Sequence, residues 1–371
     1  MRIGAFNLEN LFDRAKALNL GSWSEGKPIL DAYARLNALF AKATYSPADK
    51  KKIVDGLTAL GLDKRDDGGE YVILRQNRGR LLKRPRSGAP EVVANGRGEW
   101  IGWLELRTEA VNEVATRNTA RVVADVGADA LAVVEAEDRT ALRRFNDNVL
   151  AVQQGWRYDH IMLIDGNDER GIDVGTLTRA GHAIVDLRSH VDDADDKGQI
   201  FSRDCAEYEI ETASGARVLL LVNHLKSKGF GPSASSNEKR RRQATRVRQI
   251  YDERRAAGMA AIAVLGDFND TPDSDPLTPL LGQGSELKDV SAHPAFQGDG
   301  RPGTFGNGTK SEKFDYILLS PELFARVTQA GVFRKGVWGG KNGTLFEHYD
   351  TITKAEEAAS DHAAIWVDVD V

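Results

Sequence analysis

A single cysteine, Cys205, in 371 residues leaves no internal disulfide to form. With no cysteine cluster and no His-Glu-x-x-His pattern, nothing points to zinc. No apolar run approaches the roughly 18 residues of a membrane span. The N-terminus lacks a signal-peptide pattern, because a core-type strand begins at Ile3, and a reduced cytoplasmic setting is the expectation. A large excess of charge of one sign is also absent. A net charge of −5 excludes a general polyanion-coating protein and confines any nucleic-acid contact to local basic patches. There is no internal repeat. At 41% hydrophobic residues, the chain suits one large or two ordinary globular domains. Nothing specifies a protein partner, so a monomer is the default.

What is present is a series of short β-type apolar runs, each with Asn, Asp, Glu or His at or beside one end. Met1-Arg2-Ile3-Gly4-Ala5-Phe6-Asn7-Leu8-Glu9 opens the chain. Leu131-Ala132-Val133-Val134-Glu135 and Leu219-Leu220-Leu221-Val222-Asn223-His224 follow. Ala261-Ile262-Ala263-Val264-Leu265 then runs into Gly266-Asp267-Phe268-Asn269-Asp270. Asp315-Tyr316-Ile317-Leu318-Leu319 and Ser360-Asp361-His362 complete the set. Strands that deliver such groups to one rim of a sheet build an oxygen-rich metal site with histidine nearby, which is phosphoester chemistry.

Between these motifs, Val111, Val114, Ala115, Val122 and Val126 mark one face of a helix that Gly127 ends. A second helix is expected from about Thr140 to Val149 and a polar one from about Asn237 to Ala256. Further strands are expected near His160–Ile164, Val174–Thr178, Ala183–Leu187, Glu207–Ile210, Val327–Gly331 and Ala363–Val369. Mixed strands and helices without strict alternation argue for two packed sheets with helices outside. Asp13–Trp103 reads as an insertion beside the core of a single domain. It has helical spacing at Asp31–Ala43 and Asp49–Leu60, a break at Pro47, and strands at Tyr71–Leu74 and Glu99–Leu106. The Ser/Gly-rich Gly229–Ser236 reads as a mobile loop.

Six motifs in this order resemble the endonuclease/exonuclease/phosphatase superfamily, from Asn7 to His362. The resemblance implies a deoxyribonuclease I-like α/β (α+β) fold, a four-layer αββα sandwich of two mixed sheets flanked by helices. It also implies roles. Glu135 matches the metal-binding glutamate, Asn7 an asparagine that helps hold metal or phosphate, and Asp361 a metal or water ligand. Glu9 falls where some members place a second carboxylate. His224 and His362 look like the two active-site histidines, with Asp315 buttressing His362. Asp267 and Asn269 match the pair that orients water and phosphate, and Arg203 resembles a phosphate-contacting arginine. Carboxylate and amide oxygens suit Mg²⁺ or Mn²⁺. Histidine, with an unperturbed pKa of about 6.5, serves either end of the reaction at neutral pH.

The residues alone leave other points open. Arg170 would bind either phosphate or an inner carboxylate. Asp173 either buttresses His224 or closes a turn. Lys226, two residues past His224, joins Arg203 and Arg170 as a candidate phosphate contact. His160, His182, His190, His293 and His348 read as structural or surface residues. Two basic stretches stand out: Arg75, Arg78, Arg80, Lys83, Arg84 and Arg86, and Lys226 to Arg248. A charge run is usually a solvated face; the second follows His224, which favours contact with a polyanion. The expectation is a metal-dependent nuclease acting on DNA or RNA by one-metal, two-histidine chemistry. A phosphatase or phosphodiesterase for a small or lipid phosphoester is the alternative, and a dead binding module is a third.

Overall fold

The computed structural model describes residues 1–9, 11, 13–18, 20, 23–228 and 233–371. The chain divides into two compact units, a larger one built from residues 1–12, 111–228 and 232–371, and a smaller one built from Asp13–Ala110.

The strands of the larger unit are β1 (Arg2–Asn7), β2 (Ala130–Ala136), β3 (His160–Ile164), β4 (Asp173–Thr178), β5 (His182–Arg188) and β6 (Cys205–Thr212). They continue with β7 (Arg217–His224), β8 (Ile262–Asp267), β9 (Asp315–Leu319), β10 (Val327–Phe333) and β11 (Ala364–Val369). One mixed sheet runs Phe296–Gln297, β10, β11, β1, β2, β4, β3; the other runs β5, β6, β7, β8, β9, Lys288–Asp289.

Alternation along the strands builds the layers. Ala130, Ala132 and Val134 of β2 share one core with Val218, Leu220 and Val222 of β7 and Ala263 and Leu265 of β8. The intervening Leu131 and Val133 pack with Val122, Val123 and Val126 of helix α1 (Glu113–Val126). Leu219, Leu221, Ile262 and Val264 pack with Ala244, Val247 and Ile250 of helix α2 (Ser233–Ala256). The result is the expected four-layer αββα sandwich. Strands covered on both faces read as unbroken apolar runs, which is why β2, β7 and β8 are plain in the sequence. Helix α1 starts where Asn112 accepts a hydrogen bond from the Val114 N–H and stops at Gly127, whose φ is 61°.

Several boundaries differ from expectation. Helix α2 begins at Ser233, so Ser233–Ser236 is helical; residues 229–232 of the expected loop lie outside the described residues. In the smaller unit the first helix spans Trp23–Phe40 and contains Gly26 and Pro28, poor helix formers that hide its start. Pro47 does not merely break a helix but opens the next one, Pro47–Ala59, where Ser46 and Asp49 form a capping box. The helices and the antiparallel strands Val72–Gly79 and Trp100–Leu106 share a core that includes Leu36, Phe40, Ile53, Leu57, Leu74, Trp100 and Leu104. This unit does not end near Trp103, which lies inside a strand. It ends at Ala110, because Thr108–Ala110 pairs with Asp13–Ala15 at the root. No helix among the described residues is long and apolar enough to cross a membrane.

His190 belongs to a structural ion network. Its Nδ1 lies 3.0 Å from Asp193 and its Nε2 lies 2.8 Å from Glu207, which Arg254 clamps with two nitrogens at 2.6 Å. Burial pushes the imidazole down, but Glu207 and Asp193 outweigh it, so His190 titrates above its ordinary value. Burial likewise pushes Glu207 up, and His190 and Arg254 bring it down to about 2. The raised histidine contributes stability that is complete below about pH 6.5 and lost as pH rises through its folded value. The depressed glutamate contributes stability that is present above about pH 4.5 and lost as pH falls towards 2. His190→Gln should therefore cost more stability at about pH 5.5 than at about pH 9 in urea unfolding. Equal costs at the two pH values would mean the ion network contributes nothing.

Candidate active site

The strand register assembles the site before any side chain is considered. Parallel pairing of β1 with β2 sets Asn7 opposite Val134, so Glu135 follows at the same sheet edge. In the second sheet, β7 and β8 are parallel with His224 opposite Asp267, and antiparallel β9 places Asp315 opposite Asp267 on the other side. One row across three strands thus carries His224, Asp267 and Asp315. Asn7 joins the two sheets: its Nδ2 donates to Asp267 Oδ2 at 3.4 Å.

Asp267 is the hub of these groups. Its Oδ2 lies 3.7 Å from His224 Nε2 and 3.8 Å from His362 Nε2, too far for direct hydrogen bonds. Its Oδ1 accepts from the Asn269 N–H at 2.8 Å. His362 Nδ1 lies 2.8 Å from Asp315 Oδ2, and His362 Nε2 lies 3.7 Å from Asp361 Oδ1. His224 Nε2 lies 3.9 Å from Glu135 Oε1, while its buried Nδ1 has no hydrogen-bond partner. Asp173 does not supply one; it accepts from the Gly166 N–H and so closes a turn.

The two imidazoles are pushed apart electrostatically. Burial, then Arg203 and Arg170, holds His224 well below its ordinary value. Burial also acts against charge on His362, but Asp315, Asp361 and Asp267 overcome it and raise the group well above that value. The two imidazoles that face one carboxylate are thus biased in opposite directions, as paired acid and base groups are. Asp267 itself is pushed up to about 7, first by burial, with Asp315 and Glu135 adding and His362 opposing.

The backbone marks the same place. Among the described residues, Glu9, Glu135 and Asn269 are the three non-glycine residues with positive φ, at 42°, 62° and 54°. Such conformations cost energy and persist where surrounding structure enforces them, often at functional sites. All three are residues singled out from the sequence. Glu9 Oε2 accepts from the Asp361 N–H at 2.7 Å, which holds the loop carrying Asp361 and His362.

Arg203 and Arg170 are also brought together, through a residue the sequence did not flag, and Lys226 lies close enough to feel their charge. Asp168 binds Arg170 through two hydrogen bonds at 2.8 and 2.6 Å and Arg203 at 3.1 Å. The buried Arg203 also donates to the Leu225 carbonyl, which accepts from Asn269 Nδ2 too; its Nε has no partner. Burial, then Arg203 and Arg170, pushes Lys226 down to about 7. Thr304 and Phe305 were missed as well. Thr304 Oγ1 accepts from the Asp315 N–H, and the Phe305 ring lies 4.9 Å from His362. No motif announces them, because their positions depend on a loop folding back.

The second basic stretch is not an open polyanion surface. Arg240 is fully buried and bonded to Asp270, Asn237 and the Lys226 carbonyl. Arg241 pairs with Asp275, Arg242 with Asp195, Arg246 with Asp193 and Arg248 with Asp252. Except for Asp252, four residues past Arg248, these acidic partners are distant in sequence.

A divalent cation fits the donor set. Asn7, Glu9, Glu135, Asp267 and Asp361 carry hard oxygen atoms, and a cation would offset the burial and the neighbouring carboxylates that raise Asp267. Among the described residues, Asp267, Asp315 and His362 form the trio whose ligand atoms lie within 4.8 Å of one another. Two of that trio, Asp315 and His362, also bond to each other.

The fold is a four-layer αββα sandwich, and sequence comparison supplies the family. The model described as Endonuclease/Exonuclease/phosphatase family matches residues 86–345. This chain belongs to that family of phosphoester hydrolases, which generally depend on a divalent metal. The match excludes Asn7 at one end and Asp361 and His362 at the other, so the structure alone brings those residues to the rim. Similar solved structures include the endonuclease/exonuclease/phosphatase from Bacteroides vulgatus, 17% identical with a TM-score of 0.50, covering 70% of this chain and 91% of that one. Bacteroides thetaiotaomicron mannosyl-6-phosphatase is 17% identical with a TM-score of 0.51, covering 70% and 92%. A family member from the same organism is 18% identical with a TM-score of 0.51, covering 68% and 86%. These likenesses establish the fold. No curated protein matches the chain.

Gly266 is needed where it stands. Its φ is 120°, and a Cβ would meet the Asn223 carbonyl oxygen at 2.1 Å. Gly266→Ala should force β7 and β8 apart at the row holding His224 and Asp267. It should cost about 2 kcal/mol or more of stability and most of the turnover. A denaturation midpoint and activity equal to wild type would show that the strands tolerate the separation.

Proposed function

We propose that the chain is a Mg²⁺- or Mn²⁺-dependent phosphodiesterase acting on nucleic acid, an endo- or exonuclease. The observation that carries the reading is the placement of two imidazole Nε2 atoms, 3.7 and 3.8 Å from one buried carboxylate oxygen, beside an oxygen-rich rim. In this reading Glu135, Asp361 and Asn7 would hold the cation, and Glu9 fixes the Asp361 loop. When bound, the cation neutralises a non-bridging phosphate oxygen. Asp267 and Asn269 orient the attacking water. His362, its Nδ1 occupied by Asp315, presents Nε2–H to the phosphoryl group and the departing oxygen. His224 is placed to accept a proton. Arg203, Arg170 and Lys226 bind phosphate oxygens, with Asp168 holding both guanidiniums. Residues 1–371 act as one catalytic domain carrying Asp13–Ala110 as an accessory. A cytoplasmic setting belongs to the same proposal, supported by the buried, unpaired Cys205.

The second reading, a phosphatase or phosphodiesterase for a small phosphoester, gains from the paired arginines of α2, which remove one support for polymer binding. A turnover panel separates the two. With Mg²⁺ and Mn²⁺ it compares plasmid, single-stranded DNA, RNA, bis-p-nitrophenyl phosphate and p-nitrophenyl phosphate. Cleavage of the polymers is expected; cleavage of monoester alone would put the second reading first.

Glu135→Gln removes a charged ligand and keeps its shape. Activity should collapse, Mn²⁺ should rescue it only partly, and the fold should survive. Near wild-type turnover at saturating Mg²⁺ would remove Glu135 from the site. His224→Ala and His362→Ala should each lower turnover by about 10²–10⁴-fold, with the double variant losing less than their product. A single variant within about tenfold of wild type on the preferred substrate takes that histidine out of the chemistry.

A further inference from the structure

The smaller unit carries charge opposite to the chain as a whole. Asp13–Ala110 has 18 Lys and Arg against 13 Asp and Glu, a surplus of five positive charges in a protein whose net charge is −5. Part of this surplus lies around the ribbon formed by Val72–Gly79 and Trp100–Leu106.

One face of the ribbon packs Val72, Leu74, Trp100 and Leu104 into the unit's core. Residues directly opposite in an antiparallel pair share a face. Arg75 pairs with Trp103 and, past a bulge, Arg78 pairs with Ile101, so these four side chains lie on the outer face. Trp103 is 43% exposed and Ile101 is 50% exposed, an unusual display for a tryptophan on a strand. Arg75 is committed to Glu105 through two hydrogen bonds of 2.8 Å. Arg78 is exposed and has no acidic partner, as are Arg80 and Arg86 in the excursion that follows. Lys83 stands opposite Glu91 and is left out of the set. The contrast with α2 is direct: its arginines are paired with acids, whereas among the described residues Arg78, Arg80 and Arg86 are not.

We propose that this outer face, which carries Trp103, Ile101 and Arg78, is a binding surface for single-stranded nucleic acid, with Arg80 and Arg86 of the following excursion as further phosphate contacts. An indole beside unpaired guanidiniums offers a stacking platform and phosphate contacts together, the combination by which proteins hold unpaired strands. Trp103 and Ile101 are two residues apart, about 7 Å along the strand, and Arg78 is the diagonal neighbour of Trp103 at about 7–8 Å. A base lying on the ring therefore leaves its phosphate within reach of Arg78. A duplex offers phosphates but no open base faces, which selects the single strand. The choice of nucleic acid among polyanions rests on the nuclease reading above.

Fluorescence anisotropy of the full chain in EDTA tests this surface without turnover, using labelled oligothymidylate of about 20 nucleotides, the matching duplex, and heparin as a polyanion without bases. Trp103→Ala should weaken oligothymidylate binding by about 5- to 100-fold, with Trp103→Phe recovering most of it, and leave heparin binding within about twofold. Replacing Arg78, Arg80 and Arg86 by Ala should lower the log–log salt slope by about 0.7 per lost contact, about 2 in all. Urea midpoints and bis-p-nitrophenyl phosphate turnover should match wild type in both variants. Absence of wild-type binding, unchanged affinity in Trp103→Ala, or equal losses on oligothymidylate and heparin would each overturn the proposal. Binding that behaves as expected in a protein that cleaves no polymer would leave this surface standing and sink the nuclease reading; cleavage without ribbon-dependent binding would do the reverse.

Discussion

The site depends on a carboxylate buried where two sheets meet. Asp267 is 2% exposed, and Asn7 from the first sheet and two imidazoles from elsewhere all face its Oδ2. Burying such a group is expensive unless charge or hydrogen bonds compensate. Here the Asn269 N–H and Asn7 compensate in part, and His362 opposes the protonation that burial favours. Much of the surrounding construction, from the Asp315 dyad to the Glu9 tether on Asp361, holds the groups that face this carboxylate.

The rim was legible in the sequence because its chemistry sits at the ends of strands buried on both faces. An unbroken run such as Leu219–Val222 declares a central strand, and the polar residue that stops it declares the edge. Gly266 was legible as part of a motif, though its necessity became clear only from the close approach of Asn223. Asp168 was not legible. It lies in a loop, and its value comes from Arg203, 35 residues away. The arginines of α2 misled for a related reason: a local run of charge says nothing about acids such as Asp195 and Asp275, which arrive from other parts of the chain. Helix starts hidden by Gly26 and Pro28, and the closing strand at Thr108–Ala110, likewise depend on pairing at a distance.

Strain and electrostatics converge on the rim from independent causes. Positive φ at Glu9, Glu135 and Asn269 is a property of the backbone; the divergence of the two histidines is a property of the charges around them. Neither needed the other. Enforced backbone geometry aims carboxylate and amide groups at fixed directions, which reduces the reorganisation required when charge develops on a phosphate.

The paired root of the smaller unit has a modular consequence. Asp13 stands opposite Ala110, so the chain leaves and returns at adjacent points, and among the described residues the unit contributes no strand to either sheet of the sandwich. Excising it and closing the gap with a short turn would leave the topology of the catalytic layers intact. Substitutions on the surface of such a cassette alter no strand pairing in either sheet of the sandwich.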